Sequence, residues 1–154
     1  MNTFERWLVR WSSWATGVTG LVYLWMKYVL EPTEPFSALN HPLQPWVLKA
    51  HIMVAPVMVF AIGMISVSHV WKHWRGRVVA GRRTGVVLGL SLAPMVLTGY
   101  LIQAIVRRPL LAMTAWAHIG LGILFLAGFA AHLVIFRRRR ARRYEPRILD
   151  APSG

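Results

Sequence analysis

The stretch Leu110–Phe136, LLAMTAWAHIGLGILFLAGFAAHLVIF, decides how the chain is read. It lies within 28 consecutive residues, between Arg108 and Arg137, that hold no Asp, Glu, Lys or Arg, and roughly 20 apolar residues suffice to cross a bilayer. Working outward, uncharged runs of 23 residues between Arg83 and Arg107 and of 22 between Lys49 and Lys72 have the same character. A fourth run, Trp11–Met26, has 16 residues and extends to Leu30 when Lys27 snorkels its ammonium to the interface. The pattern predicts an all-α integral membrane protein, a four-transmembrane-helix up-down bundle. Its spans are expected at about residues 7–30, 46–71, 84–106 and 110–136, with a basic tail over 137–154.

Composition agrees. The chain has 154 residues, 56% of them hydrophobic against 45–50% in soluble domains, and 15% charged. Its mean hydropathy is +0.46. The length suits a single domain. With no cysteine, the sequence excludes disulfides, haem attachment through C-x-x-C-H, thiolate-bound iron–sulfur clusters and dithiol exchange.

A net charge of +13 raises nucleic acid as a partner, but the positions of the charges argue for a membrane instead. With the N-terminus inside, 14 of the 18 basic residues fall on the cytoplasmic side, leaving Lys27, Lys49, Arg107 and Arg108 outside. The positive-inside rule then expects both termini in the cytoplasm. Glu5 and the lack of a small-residue cleavage site make the first segment an anchor rather than a signal peptide. Glu31-Pro32-Thr33-Glu34-Pro35 ends the first helix, and Trp7, Trp11, Trp46, Trp71 and Trp74 fall at predicted helix ends, where amphipathic rings favour the headgroup layer. All five acids lie outside the spans, which leaves no carboxylate relay for protons through the membrane. The run Arg137–Arg143 reads as a stop-transfer and anionic-lipid contact, with docking of a cytoplasmic protein as the competing role. No internal repeat is evident at this level.

The histidines carry the chemistry. Four of six, His51, His69, His118 and His132, fall within or at the ends of the second and fourth spans. An imidazole inside a bilayer is a functional residue by default. From His51 to His69 is 18 residues, five whole turns, and from His118 to His132 is 14, about 40° short of four turns. Each pair therefore makes a stripe on one helix face. The two helices run parallel, so His51 and His118 are expected near the outer surface, His69 and His132 near the inner. Two facing pairs of neutral imidazoles suit the axial positions of haem iron.

Gly63, Gly120, Gly122 and Gly128 remove side chains where a macrocycle would lie. Lys49, Arg107 and Arg108 at the outer pair, and Lys72, Arg75 and Arg137 at the inner, are candidates to neutralise propionates. Any one of these histidines alone is equally explained as an interhelical hydrogen-bonding side chain, and the glycines as ordinary packing residues. His73 competes with His69 for the inner position but lies about 40° off the stripe from His51. Histidine-bound zinc or copper is disfavoured, since no cysteine or membrane carboxylate completes a ligand set.

With His51 near the start of the second helix, and His118 and His132 spaced by 14 in the last, the chain resembles the small membrane-bound di-haem b-type cytochromes. These anchor formate dehydrogenases and nickel–iron hydrogenases. The resemblance implies two haems b, quinone as a membrane partner, a partner redox subunit in a larger complex, and a bacterial-type inner membrane. In such relatives the inner ligand commonly comes from the first helix, where this chain has no histidine before His41. The inner haem here rests on His69 and His132.

The expectation is a transmembrane electron-transfer subunit of a respiratory chain, linking a quinone pool to a partner redox protein. Tyr100, Gln103, His41 and Lys49, or His73 and Trp74 on the inner side, are candidate quinone contacts, though each also reads as an interfacial side chain. The alternative is a cofactor-free structural or assembly subunit of a membrane complex.

Overall fold

The computed structural model describes the backbone of residues 2–32, 37, 39–66 and 82–149, with side chains in the last stretch over 83–138. Four helices follow in order: α1 Thr3–Tyr28, α2 Gln44–Ile65, α3 Arg82–Ala104 and α4 Arg108–Leu149. The chain divides into two compact units, Met1–Arg75 and Gly76–Gly154. The first is the antiparallel hairpin α1–α2 and the second the antiparallel hairpin α3–α4.

Local chemistry sets the helix ends. The Asn2 side chain accepts from the Glu5 amide at 2.7 Å while the Glu5 carboxylate accepts from the Asn2 amide at 2.8 Å. This reciprocal capping box starts α1 four residues before the apolar pattern predicts. Glu5 in its first turn and Lys27 in its last match the helix dipole. At the far end, the Asn40 amide donates to the carbonyls of Lys27 and Leu30 at 3.0 and 2.8 Å. The buried Gln44 side chain accepts from the Asn40 amide nitrogen at 3.1 Å, which ties the end of α1 to the start of α2. Pro45 sits in the first turn of α2, where its missing N–H costs nothing. α2 and α3 both continue through an internal proline, Pro56 and Pro94.

Within the first hairpin the seam is narrow and partly polar: Val9, Ser12, Ser13, Thr16 and Met26 from α1 are buried with Met58, Ala61 and Ile65 from α2. Small residues let helix backbones approach closely, the usual packing device in lipid. In the second hairpin Ser91 and Met95 of α3 are buried with Phe125 and Phe129 of α4. Outward, both hairpins carry large apolar side chains, among them Met53 at 73% exposure and Leu90 at 73%. So much exposed apolar surface suits a lipid solvent.

Among the described residues, three helical segments are long and apolar enough to cross a membrane: Gln44–Ile65 with 22 residues, Arg83–Ala104 with 22, and Arg108–Arg138 with 31. α1 has 26 residues, about 39 Å, but its tryptophans, serines and threonines make it less apolar. The structure differs from expectation in α4, which continues beyond Phe136 through the arginine run to Leu149 instead of giving way to a tail. Arginine is a strong helix former, and positive charge near a helix C-terminus is favourable. At 42 residues, about 63 Å, α4 is roughly twice as long as a bilayer core is thick. The predicted end of the second span at Trp71 lies outside the described residues.

Candidate functional site

His51 projects from α2 onto α1, where its Nδ1 lies 3.0 Å from the Thr16 carbonyl and 3.2 Å from Thr19 Oγ1. A carbonyl oxygen can only accept, so Nδ1 carries the proton and donates, and the lone pair of the neutral ring resides on Nε2. The Thr19 hydroxyl donates back to the Ala15 carbonyl at 2.7 Å, which turns its oxygen toward the ring as a second acceptor. Close approach depends on the next residue. A Cβ at Gly20 would stand 3.0 Å from His51 Cε1 and 3.3 Å from Nδ1, tighter than nine in ten real Cβ contacts.

The second hairpin repeats this arrangement. His118 of α4 places Nδ1 3.0 Å from the Met95 carbonyl and 3.1 Å from Thr98 Oγ1 on α3. The Thr98 hydroxyl donates to the Pro94 carbonyl at 2.8 Å, and a Cβ at Gly99 would lie 3.2 Å from His118 Cε1. The tautomer is therefore the same. A third seat lies in the same hairpin: His132 Nδ1 is 2.9 Å from Thr84 Oγ1, and its Cε1 is 3.9 Å from where a Gly85 Cβ would be. Phe136 packs on the His132 ring with centroids 4.8 Å apart.

These contacts expose a repeat that inspection of the sequence misses. Ser12, Thr19 and Gly20 of α1 match Ser91, Thr98 and Gly99 of α3 at a constant offset of 79, and Ala50-His51-Ile52 matches Ala117-His118-Ile119 at an offset of 67. Ser12 and Ser91 play the same part, donating to the carbonyl four residues back at 2.7 and 2.8 Å. The two offsets differ because the connections differ in length, so no single alignment brings the copies into register.

The copies are unequal. Moving 14 residues back from Thr98-Gly99 and 14 forward from His118 reaches Thr84-Gly85 and His132, since antiparallel helices travel the same axial distance, about 21 Å. The same step in the first hairpin reaches Glu5-Arg6 and Ile65. Thus, among the described residues, α1–α2 has one seat and α3–α4 has two. The threonine–glycine pairs were the overlooked signal.

His69, Lys72 and Arg75, with the competing His73, lie outside the described residues. Lys49 is exposed, its ammonium 4.6 Å over the Trp46 ring. Arg107, Arg108 and Arg137 are exposed at the two ends of the apolar part of α4. Open space surrounds Gly63, Gly120 and Gly122, where an added Cβ would meet nothing within 4 Å. Gly128 corrects the expectation that it makes room for a macrocycle: a Cβ there would touch Leu88 and Val87 at 3.6–3.8 Å, so it serves the contact between α3 and α4.

Of the quinone candidates, Tyr100 and Gln103 are exposed, and the Gln103 amide donates to the Gly99 carbonyl at 3.2 Å. His41 accepts from the Leu43 amide at 3.1 Å and so caps the turn into α2. Each seat presents a single imidazole, and among the described residues no three His, Cys, Asp or Glu side chains converge. No protein-family model, curated protein or solved structure matches the chain.

Proposed function

We propose that the chain is a four-span, b-type cytochrome that moves electrons within a membrane between quinone and a partner redox protein. The observation that carries this reading is that His51 and His118 are both fixed as Nδ1–H tautomers by a helix carbonyl and a threonine. Metal-bound histidines ordinarily donate their second ring nitrogen in this way, because it fixes the ring and makes the ligating nitrogen more basic. The donor chemistry fits haem iron. Gly120 and Gly122, two and four residues past His118, and Gly63 in α2 add open helix surface to that fit.

In this reading Nε2 of His51 and Nε2 of His118 hold the outer haem, and His132 with His69 holds the inner. A bound haem iron supplies reversible one-electron chemistry. The chain's own residues then do three things: the histidines hold the iron, the threonine seats stop their rings from turning, and the apolar helix faces exclude water. Lys49, Arg107 and Arg108 neutralise outer propionates, with Lys72, Arg75 and Arg137 at the inner. α1 completes the four spans as the antiparallel partner of α2, and the basic residues put both termini in the cytoplasm of a bacterial-type inner membrane. The likeness to di-haem cytochromes of formate dehydrogenase and hydrogenase complexes supports a quinone and a redox subunit as partners.

A second reading, a cofactor-free assembly subunit, draws on the same contacts, since each seated histidine is also an interhelical hydrogen bond. A pyridine haemochrome count on the purified chain separates the two. Two haems per chain are expected, and a colourless, folded preparation sinks the cytochrome.

A further inference from the structure

We infer that Thr19, Thr98 and Thr84 are positioning residues, each setting the ligand strength of the haem iron held by the histidine it seats, His51, His118 and His132 respectively. The inference rests on the cytochrome reading and extends it to residues with no ligand role of their own. The imidazoles of His51 and His118 donate from Nδ1 to threonine Oγ1 at 3.2 and 3.1 Å, and His132 Nδ1 lies 2.9 Å from Thr84 Oγ1. At His51 and His118 a helix carbonyl 3.0 Å away shares the proton. Thr19 and Thr98 each donate their own hydroxyl hydrogen to the carbonyl four residues back, at 2.7 and 2.8 Å, so their oxygens remain acceptors toward the ring.

Drawing the Nδ1 proton outward gives the imidazole imidazolate character and makes Nε2 a stronger donor. A stronger donor favours ferric over ferrous iron and lowers the potential. Gly20 and Gly99 are the other half of the device. The ring comes so close to the helix backbone that an added Cβ would stand 3.0 and 3.2 Å from the imidazole carbon.

The pattern of effects distinguishes positioning from general stabilisation. In the full chain, Thr19→Val and Thr98→Val should each raise the midpoint potential and shift the low-spin ferric EPR signal of the haem that its own histidine holds. Haem affinity should fall by about 10- to 100-fold, the usual effect of losing an outer-shell hydrogen bond. Thr84→Val should act on the haem that His132 holds. Thr98→Ser, which keeps the hydroxyl, should restore the parent potential and EPR signal.

Unchanged potentials and EPR in haem-replete Thr19→Val and Thr98→Val would overturn the seat while leaving the cytochrome standing. A parent protein without haem would remove both readings. The parent also gives a test that needs no variant. In its reduced, diamagnetic state the Nδ1 protons of His51 and His118 should exchange slowly with water by NMR, and exchange as fast as that of a solvated imidazole overturns the seat.

Discussion

At the scale of single residues, an imidazole and a helix carbonyl 3.0 Å apart do more than hold two helices together. The contact chooses a tautomer, and the tautomer chooses which nitrogen can bind a metal. As interhelical hydrogen bonds in a membrane such contacts are worth only about 0.6 kcal/mol. His118→Ala is therefore expected to leave the chain folded and to abolish the outer haem while the inner one remains. Optical spectra of the purified variant check this, and retention of both haems contradicts the assignment.

Glycine at the seat is a stricter requirement. Gly20→Ala puts a methyl 3.0 Å from the His51 ring, so the ring must give by a few tenths of an ångström. A fall in outer-haem binding is expected, whereas Gly89→Ala, which meets nothing within 4 Å and has no part in either haem site, should cost less. Equal haem content in the two variants would show that the seat tolerates displacement.

The elements are decided by different physics at their two ends. α1 begins where Asn2 and Glu5 satisfy each other's backbone amides, and removing the cap with Asn2→Ala should cost about 1 kcal/mol. The first turn should then exchange amide protons faster, with haem content unchanged, because Thr16, Thr19 and Gly20 lie more than two turns away. α4 shows the opposite case. Its apolar run was readable to within two residues at the start, yet its end was not, because hydropathy marks where lipid stops and not where the helix stops. Arginine after arginine leaves the bilayer without breaking the helix.

On the scale of the whole molecule, three spans follow from length and composition, and the fourth depends on α1 crossing beside α2. The chain has no cysteine, so single reporters can be introduced without background. Thr3→Cys, at the start of α1, should react with a membrane-impermeant maleimide only from the cytoplasmic face, and Ser37→Cys, beyond its end, only from the opposite face. Labelling of both from one face would remove α1 as a span.

How much could be read without coordinates differs between fold and site. Membrane residence, the helical class and the four helices were legible because the cost of burying charge in lipid is written directly into the spacing of Lys, Arg, Asp and Glu. His51, His118 and His132 were legible for the same reason. What folding decided was the company these histidines keep. Thr19, Thr84 and Thr98 lie 32, 48 and 20 residues from their imidazoles, and only antiparallel pairing of helices brings them within hydrogen-bond distance. The repeat was hidden for a related reason: unequal connections shift the two copies of each hairpin by different amounts, so equivalence appears only when residues are matched by what they touch.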